Sequence, residues 1–405
     1  MTTIPLRAAS TRGGPAVAGP LLRSPLLVWA AIYGNVLTFL GPTPLIPIPT
    51  PLGQAIAQGM LPLALILTLL ANPGLVLRLN VPMALLTVLS VLALAVSIHN
   101  DFLVGSAYRA VRLVLFVLVL WPLTPWWGHA DRPLLRAHLR CLRVVTVSVL
   151  MGAVVAPGAA FSEEGRLRGA IWPIPPPQVA HYAAVLLGCT IVLWFVGEVG
   201  GRTTLVTVAG AGAALIESHT RTALAAMLLG IIVAGASLFL RHPRVRHAAA
   251  VTALVAGLAA GLAGPWILAW LSRGQDAQQA SQLTGRTKVW TAVANAPRTW
   301  VQAAFGTGLS NKSYNGLPID SNWVATFLEL GWVGIAVQVV LLAFLAGWAL
   351  ARRGTEGAIA LFIVTYCLVA SFTETGLGDA SPYLLELVVA GSVLARPAWT
   401  RADVL

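Results

Sequence analysis

Long apolar runs separated by short polar or proline-rich breaks organise this chain. A helix that crosses a bilayer needs about 20 mostly apolar residues, so runs of that length read as spans. Twelve occur, at roughly 25–42, 54–72, 81–98, 107–125, 141–160, 179–198, 203–217, 220–240, 248–271, 321–350, 356–373 and 380–396. The seventh and eighth are parted only by Glu217, His219 and Arg221. Charged residues at mid-membrane cost about 2.5 to 3.5 kcal/mol each, so a turn at a membrane surface is expected there.

The breaks are unequal. Residues 161–178, FSEEGRLRGAIWPIPPPQ, are charged and then proline-rich, which is incompatible with a lipid-facing helix. Residues 272–320 form the longest polar interval, and connections of that length usually carry function. The expected organisation is a basic tail (1–24), nine transmembrane helices (25–271), a large outer loop (272–320), three further helices (321–396) and a second tail (397–405). The first apolar run has no small-residue cleavage site, so it is expected to be an uncleaved helix behind a cytoplasmic tail. The fold class is all-α polytopic membrane protein.

Composition agrees. Of 405 residues, 57% are hydrophobic and 10% charged, far below the roughly 25% charge of a soluble domain, and mean hydropathy is +0.81. The net charge of +12 would suggest a nucleic-acid partner on a soluble chain. With both termini cytoplasmic, sixteen basic residues against four acids fall on the cytoplasmic side, and ten against eight fall outside. The excess therefore records orientation, no nucleic acid is expected, and the bilayer is the partner. Cys141, Cys189 and Cys367 show no metal or disulfide spacing.

The near-balanced outer set holds the candidate chemistry. Arg109 and Arg112 are three apart, hence on one helix face, and Arg166 and Arg168 flank Leu167 in the first outer segment. Guanidinium groups there suit a phosphate ligand, the alternative being lipid head groups or Glu163, Glu164 and Glu217. Arg221 opens a helix in HTRTALAAMLLG; Arg286, Lys288 and Trp290 sit in LTGRTKVWTAV, where Arg286 and Trp290 share a face if the segment is helical. Asp320 precedes Ser321 and Asn322 at the start of the tenth run, either as an N-cap or as a general base, and His219 is a second base candidate. The remaining histidines fall on the cytoplasmic side or, like His99 and His181, stand alone near helix ends. Neither metal-ligand spacing nor a D-x-D motif occurs, so neither metal nor cofactor is expected.

These segments, taken in order, resemble the bacterial O-antigen ligase and polymerase superfamily, membrane glycosyltransferases of GT-C type. RLRGAIWPIPPPQ (166–178) is similar to an Arg-x-x-Gly followed by prolines that open a helix, and HTRTALAAML (219–228) to a Ser-Arg-x-x-x-Leu element with Ala225 in the Leu place. GRTKVWTAVANAPRTWVQAAFGTGLSN (285–311) is similar to Arg, Trp, then Gly-x-Gly, and DSNWVATFLELGWVG (320–334) has the spacing of His-Asn/Ser, nine residues, Gly-x-x-Gly. The likeness covers the last 240 residues or so; before them it rests on topology.

The resemblance implies inverting, metal-independent transfer of a glycan from a polyprenyl-diphosphate donor to an acceptor hydroxyl on a glycan or glycolipid, at the outer face of the inner membrane. Arg221 and Arg286 would hold the diphosphate leaving group. Asp320 occupies the place of the family His, with Ser321 after it, which suggests a branch distinct from ligases for the lipid A core. Alternatives are a polysaccharide polymerase of the same superfamily and a flippase or transporter for a lipid-linked saccharide, which usually carries ionisable or broken-helix sites near mid-membrane.

Overall fold

The computed structural model describes residues 25–100, 103–239, 242–252, 286–310 and 312–396. In chain order its helices are α1 (Pro25–Val36), α2 (Thr50–Ala71), α3 (Val81–Ser97), α4 (Leu103–Leu120, continued by a 3-10 turn Trp121–Trp126), α5 (Pro133–Val155), α6 (Pro157–Ala160), α7 (Pro176–Val196), α8 (Gly201–Glu217), α9 (Arg221–Leu238), α10 (Arg286–Asn295), α11 (Trp300–Phe305), α12 (Asn322–Ala351), α13 (Thr355–Ala370) and α14 (Pro382–Leu394). A hairpin of β1 (Ser313–Tyr314) and β2 (Leu317–Pro318) is the one sheet among the described residues. Six stretches (α2, α4 with its 3-10 turn, α5, α7, α9 and α12) are long and apolar enough to cross a membrane, and α1, α3, α13 and α14 are apolar but shorter. The protein is an all-α, multi-pass membrane protein.

Eleven of the twelve apolar runs coincide with a described helix; most of the ninth, part of the 272–320 interval and both tails lie outside the described residues. The turn expected between the seventh and eighth runs is present at Ser218–Thr220, with His219 at φ 49°. Two boundaries differ by more than five residues. α1 ends at Val36 because Pro42, Pro44, Pro47 and Pro49 follow closely, and neither proline nor the residue before it favours helix. α5 begins at Pro133, well ahead of residue 141, because arginine is a good helix former and proline suits the first position, whereas an apolar run marks only contact with lipid.

α7, α13 and α14 form the centre, almost wholly buried; α13 packs on α7, α9 and α14, and α7 also packs on α9. Peripheral helices turn apolar side chains outward, as Leu205 (68% exposed) and Val206 (66%) do on α8, which in a bilayer face lipid. Within the centre sits a cluster of ionisable side chains. Glu386 on α14 is fully buried, with His138 Nε2 of α5 at 2.8 Å and His181 Nε2 of α7 at 3.4 Å. The Tyr33 and Tyr366 hydroxyls contact the outer nitrogens of the two rings at 3.0 and 3.1 Å. His181 therefore does not stand alone, and His138 is no cytoplasmic surface residue: α5 starts early enough to carry it inside.

α12 is two helices joined end to end at Gly331, which has φ 62° and ψ −163°. The break removes the i+4 donors of the Leu328 and Glu329 carbonyls, and the amides of Thr307 and Gly308 donate to those oxygens instead, at 3.0 and 2.9 Å. A Cβ on Gly331 would lie 2.4 Å from the Ala304 carbonyl, and one on Gly306 2.3 Å from that of Glu329. The Gly-x-Gly and Gly-x-x-Gly segments are thus two halves of one backbone contact.

Candidate functional site

Four segments meet at the end of the bundle where α9 and α12 begin. α10 presents Arg286, whose Nε donates to Asp320 Oδ2 at 3.3 Å. Asp320 does not cap α12; Ser321 holds the N-cap position, without a side-chain cap bond, and Asp320 stays half exposed. Arg166 comes from the 161–169 segment, which is held by Leu167 N donating to the Glu217 carbonyl. Its guanidinium donates to the Ser218 carbonyl at 3.1 Å and to Thr220 Oγ1 at 3.3 Å, at the threshold of α9.

The fourth segment is the 371–381 turn between α13 and α14, and it brings Glu374. Thr373 donates its hydroxyl to that of Thr222 at 2.8 Å, which sets Glu374 beside the first turn of α9, where Arg221 begins the helix. Partial burial pushes the Glu374 carboxyl up, Arg286 draws it down, Asp320 pushes it up again and Arg166 draws it down; the balance is about 7. A carboxyl of that value is half ionised at neutrality and matched to general-base work. Composition gave no hint of it, since Glu374 reads as one acid in a turn after an apolar run.

Asn322 is buried and engaged inside the protein. Its amide donates to Gln338 Oε1 at 2.6 Å, and its carbonyl oxygen accepts from Leu377 N at 2.9 Å and Gly376 N at 3.4 Å. It pins the turn that carries Glu374 to the start of α12. Trp290 lies on the Arg286 face of α10, as i, i+4 spacing requires, and its indole N–H has no partner among the described residues. Lys288 is exposed on the same helix. Arg168 donates to the Ala159 carbonyl at 2.9 Å, and His219 sits in the turn before α9.

Arg109 and Arg112 are placed apart from this group, on the α4 side of the same turn. Arg109 spans two carboxylates, Glu329 at 2.9 Å and Asp379 at 2.7 Å, and Lys312 reaches Asp379 at 3.4 Å. Burial pushes the Asp379 carboxyl up, but Lys312, Arg109 and Arg112 hold it far below the usual range. Glu329 also accepts from Ser310 N at 2.8 Å, so this network ties α4, α12, the 306–312 segment and the 371–381 turn together. Arg112 bonds Asn35 and borders a cavity of about 630 Å3 that Gln54, Gln58, Tyr108 and Ser310 also line.

No family model matches the chain, and no curated protein does. Among solved structures, a chain of a peptidoglycan synthase complex, described for the structural coordination of polymerization and crosslinking, matches with a TM-score of 0.45 at 16% identity, covering 77% of this chain and 95% of that chain.

Proposed function

We propose that the protein is an inverting glycosyltransferase that moves a glycan from a polyprenyl-diphosphate donor to an acceptor hydroxyl, without metal, at the outer face of a bacterial inner membrane. The observation that carries this is the meeting of Arg286 and Arg166 with Asp320 and a Glu374 carboxyl at about 7. In the proposed step the acceptor oxygen attacks the anomeric carbon, the bond from that carbon to the diphosphate oxygen breaks, and the diphosphate leaves with the electron pair. The hydroxyl proton passes to a carboxylate. Arg221, Arg286 and Arg166 meet the charge that develops on the leaving group, the part of such a reaction that fixed cations stabilise most.

Two carboxylates are available as base. Asp320 stands in the family position but is already engaged by Arg286. Glu374 is better matched in proton affinity, so we assign it the proton and give Asp320 the role of orienting Arg286. The cavity beside Arg112, rich in amide side chains that bond hydroxyl groups, suits the acceptor glycan. An acceptor that is itself a lipid-linked glycan would make the enzyme a polymerase; any other hydroxyl would make it a ligase.

A flippase for the same lipid is the second reading, favoured by the break at Gly331 and by the buried Glu329 and Glu386. Purified protein in proteoliposomes with a polyprenyl-diphosphate glycan separates the two. Transfer to added acceptor supports the enzyme, whereas movement of intact lipid between leaflets without transfer refutes it.

A further inference from the structure

We infer that the arginine-rich end of α5 holds an anionic phospholipid, with its head group over Arg140 and Arg143 and an acyl chain along the apolar continuation of the same helix face. Arg132 at the N-cap of α5 and Arg136, Arg140 and Arg143 within it are spaced to lie along one side of the helix. The first two are neutralised within the protein: Arg132 bonds Glu198 at 2.7 Å and Glu356 at 2.9 Å, and Arg136 bonds Asp131. Arg140 and Arg143 are exposed and have no acidic partner among the described residues. All four line a cavity of about 540 Å3 whose apolar wall includes Leu139 and Leu193.

Orientation bias alone does not account for this placement. At 1.5 Å per residue, Arg140 and Arg143 lie about 10 and about 15 Å along α5 from Pro133. From there the exposed face continues as Val144, Val147, Met151 and Val154, all more than half exposed. Residues 144–155 span only about 18 Å, well short of the roughly 30 Å of bilayer hydrocarbon. Two unpaired guanidinium groups on that face therefore either thin the bilayer or draw an anionic group down to them. A cationic pocket continuous with an apolar stripe has the polarity order of a phospholipid, phosphate first and chain beyond it.

The test uses the full-length protein in nanodiscs of phosphatidylcholine with increasing phosphatidylglycerol, with retained lipid counted by native mass spectrometry. The wild-type protein is expected to retain phosphatidylglycerol over phosphatidylcholine. The double variant Arg140→Gln, Arg143→Gln should lose that preference at least fivefold, and Arg353→Gln, which removes an exposed charge outside the cavity, should keep it. Equal losses in both variants would reduce the effect to surface charge and overturn the proposal. Displacement of the lipid by millimolar inorganic phosphate would also overturn it, in favour of a free-ion site. Should the glutamine pair fail to fold, the single variants Arg140→Gln and Arg143→Gln are read instead; full preference retained in both overturns the assignment.

Discussion

Asp320→Asn distinguishes the two candidate bases, because they demand opposite outcomes. If Asp320 accepts the proton, the substitution abolishes transfer. If Glu374 does, activity persists and its pH dependence moves. Glu374 titrates at about 7 because burial and Asp320 outweigh Arg286 and Arg166. A base with that value is about one-tenth ionised at pH 6 and nine-tenths at pH 8, so kcat/KM should be flat above neutrality and fall about tenfold per unit below it. Removing Asp320 takes away a charge that pushes Glu374 up and frees Arg286 to pull it down. The acid limb then moves to lower pH; a shift of one unit raises the rate at pH 6 from about one-tenth to about half of the plateau. Arg286→Gln moves the limb the other way. The assay is glycan transfer from a polyprenyl-diphosphate donor in detergent, read as kcat/KM from about pH 5 to about pH 9, with Glu374→Gln as reference. Loss of all activity in Asp320→Asn together with near-normal turnover in Glu374→Gln would refute the assignment.

Three further outcomes follow from the geometry. Gly331→Ala places a methyl 2.4 Å from the Ala304 carbonyl in a left-handed backbone, so folded yield in detergent should fall sharply, whereas Gly347→Ala, which meets nothing within 4 Å, should leave it unchanged. Arg109→Ala takes from Glu329 its cationic partner and leaves Asp379 with Lys312 alone, and should destabilise the protein by about 3 kcal/mol, seen as a lower unfolding temperature; an unchanged value would mean that Glu329 takes up a proton instead. Arg221→Ala and Arg286→Ala should each weaken binding of a polyprenyl diphosphate more than of the monophosphate, and equal losses would remove leaving-group recognition from both residues.

Apolar run length was enough to locate the helices because in lipid the backbone has no alternative to internal hydrogen bonding. It misplaced the start of α5, since lipid contact and helical conformation are different properties and arginines share only the second. At the candidate site, Arg286 and Asp320 stood out in the sequence by order and spacing, and the fold brings them together, but Glu374 did not stand out: its proton affinity exists only once α9, α10 and the 161–169 segment close around it. The Arg109 network and the His138–Glu386–His181 contact were equally hidden, because each joins residues far apart in sequence. The two glycine motifs could be read singly, and their mutual contact could not.

The buried carboxylate on α14 also bears on how the chain is assembled. α14 has 13 residues, about 20 Å of helix, with Glu386 near its middle. Such a segment is a poor candidate for leaving the translocon into lipid by itself, since an acidic residue at a helix centre opposes insertion by about 2.5 to 3.5 kcal/mol. Its partners are His138 and His181, made much earlier in synthesis and already waiting. α14 is therefore expected to enter the membrane by docking onto α5 and α7, so that its insertion signals that both are correctly seated. A glycosylation tag placed before α14 and another after it would report this: His138→Leu with His181→Leu should leave α14 uninserted, and adding Glu386→Leu in that background should rescue it.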